Sequence, residues 1–325
     1  MSFNREMLKI DPEAETNRLV NELREVVMNQ MKRRGAVLGI SGGVDSSVVL
    51  ALCVRAFGPQ RVVPLILPEK DSDPESEKIA LGLAAQFGTD PIIEVITPAL
   101  DGLGCYPRRD EAIRRIFPEY DAAAGYKAKI VLPQNPLETG TLNVFYVTII
   151  TPDGEERSKR LPPKEYFQIV AASNLKQRTR MAYMYYHAEL RNYAVVGTAN
   201  RNEHAQGFFV KFGDGAADVK PILHLYKTQV YQLAEYLDIP ELIRSRPPTS
   251  DTYSAPSTQE EFFFRLPFET MDLLWYAQQH QVPPAEVATV MDLTEEQVQN
   301  AYNDFMRKSR TTDYLRLSPV TFDKE

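Results

Sequence analysis

The chain has 325 residues, 43% hydrophobic and 25% charged, with a net charge of −7; this is the profile of a globular protein with room for one large domain or two small ones. The acidic balance excludes a general pull toward nucleic acid or anionic membrane, and no apolar run is long enough to span a bilayer. The only cysteines, Cys53 and Cys105, form no CxxC or Cys/His cluster, so neither a disulfide framework nor a zinc site is expected, and the polar first fifteen residues predict a cytoplasmic protein.

In chain order, Leu19, Val20, Leu23, Val26, Val27 and Met31 recur at helical spacing and predict a helix over 12–33, ending at basic Lys32-Arg33-Arg34. AVLGI (36–40) predicts a buried strand, and Val44 to Phe57 a helix stopped by Gly58-Pro59. RVVPLIL (61–67) predicts a second strand, 74–87 a helix, and PIIEVI (91–96) a third strand. Further on come a helix from Asn174 to Leu190, a strand YAVVGT (193–198) and an amphipathic helix LYKTQVYQLAEYLDI (225–239). Strands alternating with helices imply right-handed crossovers, hence an α/β fold with a doubly wound parallel sheet. The segment from about 105 to 168, rich in Pro, Gly and charge, breaks the rhythm and reads as an insertion. Within it TLNVFYVTII-TPDG-EERSKRL predicts a β-hairpin turning at Asp153-Gly154. The tail, 258–325, predicts a helical extension to a first domain over 1–257. PAEVATVM-DLT-EEQVQNAYNDF has the length of a helix-turn-helix. Lys308, Arg310 and Arg316 sit there among Glu295, Glu296 and Asp304, so packing is expected rather than DNA binding.

The chemistry starts at LGISGGVDSS (38–47). A strand, a glycine turn and a helix start make an anion site, because first-turn N–H groups point at the ligand and the helix dipole adds to them. Gly42 and Gly43 allow close backbone approach, and Ser41, Ser46 and Ser47 can donate hydroxyl bonds. Asp45 would repel a bare phosphate, but makes sense with Mg²⁺ between carboxylate and phosphates. The pattern is neither Walker A nor GxGxxG. SGGxDS after a strand resembles the loop of the N-type ATP pyrophosphatases, which split ATP between its α and β phosphates.

A second stretch, GTANRNEHAQGFFVKFGDGAADVKPILHLYKTQV (197–230), resembles the NAD synthetases, as do NLKQRTRM (174–181) and RPPTSD (246–251). The resemblance implies an adenine nucleotide alpha hydrolase-like fold. It implies ATP contacts from Gly39, Ser41, Gly42, Gly43, Asp45, Ser46, Ser47, Thr198, Lys227 and Thr249, with Mg²⁺ on Asp45 and Glu203. Asn174, Arg178, Lys211, Asp214 and Asp218 would meet the dinucleotide substrate, and Asp45, Lys227 and Asp214 would be catalytic. The implied reaction is ATP-dependent amidation of nicotinate adenine dinucleotide to NAD through an acyl-adenylate, releasing AMP and pyrophosphate. Too few residues precede the loop for the amidase domain of glutamine-dependent relatives, so the expected donor is free ammonia or a separate glutaminase. The family resemblance also implies a homodimer. Two departures stand out: LPEKDSDPES (67–76) lacks the family's Ser/Thr-rich or arginine-bearing turn, leaving Lys70 as the residue near adenosine, and the insertion keeps open an amide ligase for a different carboxylic acid.

Overall fold

The computed structural model describes residues 2–132, 135–138, 144–249, 252–259 and 263–322. After helix α1 (Pro12–Arg24), strand β1 (Ala36–Gly39) leads through helix α2 (Val44–Phe57) to β2 (Val62–Ile66), and α3 (Pro74–Gln86) leads to β3 (Ile92–Ile93). Far later, β7 (Ala194–Val195) returns to pair with β1 on its other side, giving the all-parallel order β3-β2-β1-β7. Side chains alternate across this sheet as strand geometry requires. Ala36, Leu38, Val62, Ile66 and Ala194 pack with α1, α2 and helix α8 (Lys227–Tyr236). Val37, Leu65 and Val195 pack on the opposite side with α4 (Thr97–Gly102), α5 (Cys105–Arg114) and α6 (Pro163–Arg191). Helix α2 is apolar on every side because it lies between the sheet and α1/α8, and Cys53 is part of that core, its thiol pushed up to about 12 by burial.

Four elements differ from the sequence reading, one of them β7, which is two residues long where a strand over 193–198 was expected. The first helix gives way to a π-helical turn over Glu25–Gln30. Strand β3 is two residues long, because the chain turns into α4 directly after Ile96. Helix α6 starts at Pro163, not Asn174, and runs for 29 residues; Ile169 in its early turns packs on the insertion rather than on the parallel sheet.

The insertion holds more than a hairpin. Strands β5 (Tyr146–Ile150) and β6 (Glu156–Arg160) form the expected antiparallel pair, and β4 (Lys127–Val131) joins β5 on its other side. Thr141 to Asn143, placed in the hairpin by sequence, lie outside the described residues. The small sheet has its own core, built from Ile113, Phe117, Tyr120, Ile130, Val147, Ile149 and Ile169.

At the C-terminus, α10 (Phe268–Gln279), α11 (Pro284–Met291), α12 (Glu295–Thr311) and α13 (Asp313–Arg316) follow α9 (Glu241–Arg244). Val287, Val298, Ala301 and Phe305 of the α11–α12 pair bury themselves with Trp275, Tyr226 and the N-terminal residues Phe3 and Leu8. The helix-turn-helix is thus used for packing. Among the described residues no helix is long and apolar enough to cross a membrane.

Candidate active site

Strand order places β2 and β7 on opposite sides of β1. The connections leaving β1 and β7 therefore diverge, and a crevice opens at their carboxyl ends, where open α/β sheets bind ligands. The SGGVDSS loop leaves β1 there, and helix α7 (Arg201–Gln206) leaves β7 there.

Gly42 has φ +75°, and a Cβ on it would stand 3.0 Å from the Ser76 carbonyl oxygen, so this turn requires glycine. Helix α2 begins at Gly43 without a side-chain cap, so its first-turn donors are left for a ligand. Ser46 and Ser47, expected to face phosphate, are buried and donate their hydroxyls to the Gly43 carbonyl at 2.9 and 2.8 Å. They brace the loop, while Ser41 and Gly43 are exposed. Gly39 ends β1 beside Met184, whose Sδ lies 3.4 Å from the position of an added Cβ.

Asp45 is the junction of the site. Its Oδ2 accepts from the buried Lys227 ammonium, the first residue of α8, and its Oδ1 accepts from Asn200 Nδ2 at 3.1 Å. Asn200 caps α7: its Oδ1 accepts from the Glu203 amide at 3.1 Å, while its own amide donates to Glu203 Oε2 at 3.2 Å. Asn200 thus joins the two carboxylates, a role the sequence reading missed. The signal was present as a capping box, Asn200 followed three residues later by Glu203. Burial, with Asp45 nearby, pushes the Glu203 carboxyl up to about 8. Burial alone would lower the Lys227 pKa, but Asp45 and Glu203 outweigh it and the ammonium is held above its usual range. Two carboxylates are thereby brought together around one buried ammonium. Among the described residues no group of three or more His, Cys, Asp and Glu could hold a metal ion by itself.

The segment after α7 carries the second group of expected residues. Asp214 Oδ1 accepts from the Val210 amide at 2.8 Å, and burial raises its carboxyl to about 6. Gly215 has no room for a side chain, since a Cβ would lie 2.6 Å from the Phe209 ring. Arg178 donates to the Lys211 carbonyl at 3.2 Å, one turn beyond half-buried Asn174 on α6. Lys211 itself donates to the carbonyls of Tyr314 and Leu317 at 2.9 and 2.8 Å, toward the C-terminal segment. Asp218 gives both oxygens to protein donors, the Tyr185 hydroxyl at 2.9 Å and the Val195 amide at 2.8 Å. Thr198 lies half-buried in the β7–α7 connection. Thr249 is exposed and bridged to Thr258, next to Gln259, whose Nε2 donates to Glu203 Oε1 at 3.5 Å; Asp251 lies outside the described residues.

Sequence reading also missed a buried charge cluster beside the 67–76 turn. Lys176 on α6 donates to Glu69 at 2.9 Å, Asp71 at 2.8 Å and the Thr252 carbonyl at 3.0 Å. Arg109 on α5 pairs with Asp71 and Asp110. Apart from Asp110, the neighbour of Arg109, these partners are 38 to 107 residues apart in the chain, so no local motif records the cluster. Lys70 stands outside the cluster, its ammonium 3.6 Å from the centre of the Tyr106 ring.

A parallel sheet covered by helices on both faces, with a glycine turn at the carboxyl end of its first strand, is the fold of the adenine nucleotide alpha hydrolase class, and this chain has that fold. Comparison narrows the class to one family: the NAD synthase model matches residues 15–105 and 146–312, and the chain belongs to the NAD synthase family. The NH(3)-dependent NAD(+) synthetase of Mesorhizobium japonicum is 50% identical over 314 residues, covering 97% of this chain and 98% of that protein. The NH(3)-dependent NAD(+) synthetase of Rhizobium meliloti is 49% identical over 98% of this chain and 94% of its own length. Among solved structures, the NH3-dependent NAD synthetase of Campylobacter jejuni superposes with a TM-score of 0.61 at 21% identity, over 97% of this chain and 100% of that one, which bears on the fold alone.

Proposed function

We infer that this chain amidates nicotinate adenine dinucleotide to NAD, with ATP as cosubstrate and ammonia as nitrogen donor. The observation that carries the reading is the Asp45–Lys227–Glu203 cluster at the mouth of the glycine loop, in a chain about half identical, nearly end to end, to proteins named for that activity. The family model stops at residue 105 and resumes at 146, which would favour a different acid substrate. The Mesorhizobium alignment nevertheless covers 97% of this chain, so most of that segment has a counterpart in a protein named for NAD synthesis.

The glycine loop and the α2 N-terminus hold the ATP phosphates, and Lys227 supplies a fixed positive charge beside them. The substrate's pyridine carboxylate attacks the α-phosphorus, and pyrophosphate leaves with the charge of the broken bond. Asp45 and Glu203 would hold Mg²⁺, which when bound would neutralise charge on the phosphates. Ammonia then attacks the acyl carbon, and AMP leaves. Asp214, with its carboxyl held near 6, is suited to take the proton that the nitrogen must shed. Arg178 and Asn174 approach the dinucleotide from α6.

We assign the homodimer to an apolar patch around the end of α6. Tyr186 and Leu190 on that helix, and Ile93 and Val95 beside it, are all exposed, and His187 ties the two stretches together through Glu94 at 2.9 Å. Exposed apolar residues clustered in this way mark an interaction surface.

The test is a product assay with ATP, Mg²⁺, ammonium and nicotinate adenine dinucleotide. NAD, AMP and pyrophosphate should form in equal amounts, and Asp45→Ala should form none above background. ATP turnover to AMP without NAD would redirect the reading to another carboxylic acid.

A further inference from the structure

The active-site motifs end at residue 251, yet one carboxylate beyond them grips the neighbours of two site residues. Asp272 on α10 is fully buried. Its Oδ2 accepts from both the amide and the hydroxyl of Thr228 at 2.8 Å, and its Oδ1 accepts from Asn202 Nδ2. Thr228 follows Lys227 at the start of α8, and Asn202 precedes Glu203 on α7. Helix α7 has six residues, too few to hold a helical orientation by itself. The face that turns away from Asp45 is held by α10 along its length. Gln206 donates to Met271 Sδ at 3.4 Å, and Arg201 donates to Gln279, which also accepts from the Tyr226 hydroxyl at 2.9 Å.

We propose that Asp272 is a positioning residue for this reaction: through Thr228 and Asn202 it sets the Lys227 ammonium and the Glu203 carboxylate in register with Asp45. A buried carboxylate is costly unless bonded to donors, and here all the donors come from the two short segments that carry site residues. Its negative charge also lies in the field of Lys227, so removing it changes both geometry and electrostatics at the phosphate end. Misplacement of such groups costs transition-state stabilisation more than ground-state binding.

The inference rests on the synthetase reading, and wild-type enzyme run alongside separates the two. No NAD from the wild type would sink the activity itself. With an active wild type, Asp272→Asn, close in shape, should lower kcat at least tenfold while KM for ATP stays within threefold. Thr228→Val should fall in the same direction, and Thr228→Ser, which restores the hydroxyl donor, should recover. Asp304→Asn serves as the reference, since Asp304 is also buried in the helical region but pairs with Arg265 and Lys308 on α12; it should lower the melting temperature and leave kcat within twofold. The proposal is overturned if Asp272→Asn keeps wild-type kcat, or if its kcat loss is matched by Asp304→Asn at an equal drop in melting temperature.

Discussion

Glu203, proposed above as a site residue, works against the fold that holds it. Its carboxyl is raised from an ordinary 4.5 to about 8, first by burial and then by the charge of Asp45. An acid with a raised folded pKa binds its proton more tightly in the fold than in the unfolded chain. Its contribution is therefore whole below about 4.5 and is lost as pH rises through about 8. Ligand-free Glu203→Gln should match wild type in stability at pH 4 and exceed it at pH 9 by roughly 1–3 kcal/mol, while NAD formation is lost. A mutant less stable than wild type at high pH, followed by thermal melts in the absence of Mg²⁺, would remove the electrostatic argument. Asn200 belongs to the same account, since one side chain both starts α7 and bonds Asp45. Its capping role was legible from spacing; its reach to Asp45, 155 residues away in sequence, was not.

At the scale of elements, the loop between β1 and α2 is where local sequence and fold agree most closely. Helix α2 spans Val44–Phe57, the boundaries read from the apolar run and from Gly58-Pro59. Gly42→Ala meets two obstacles, a positive φ and the Ser76 carbonyl at 3.0 Å. It should destabilise by about 1–3 kcal/mol and raise KM for ATP, as read by thermal unfolding and steady-state kinetics; an unchanged KM would mean that the loop does not meet the phosphates. The insertion was less legible for a physical reason. Helix α5 buries Arg109 and Asp110, and its charged sequence reads as solvated until Asp71 arrives from another loop to neutralise the guanidinium. Strand β4 has the pattern Lys-Ala-Lys-Ile-Val, short enough to pass for loop, and becomes a strand through pairing with β5. Helix α6 was read half its length because its first turns face the insertion core rather than the parallel sheet.

Across the whole molecule, the parallel sheet follows from strands alternating with helices and could be read in advance, whereas its order β3-β2-β1-β7 could not. The association of the C-terminal helices with the N-terminal residues Phe3 and Leu8 could not, because it joins opposite ends of the chain. Assembly is a property of the same scale. Leu190→Glu places a charge in the middle of the exposed patch on α6 and should convert a dimer to a monomer in light scattering without lowering the monomer's helical signal; a mass unchanged from wild type would move the interface elsewhere.

Among the described residues the parallel sheet ends on β7, and what lies beyond β7 is not another strand but the segment that follows α7. Val219 bridges Val196 in parallel fashion, Gly197 donates to the Val219 carbonyl at 2.8 Å, and Asp218 fills the Val195 amide. The segment that carries Asp214 and Asp218 is thus also the cover on an open sheet margin, whose bare N–H and C=O groups would otherwise offer a template for another chain. Resistance to aggregation is therefore tied to this cover: a molecule that loses the Asp218 clasp on the Val195 amide presents a sticky border.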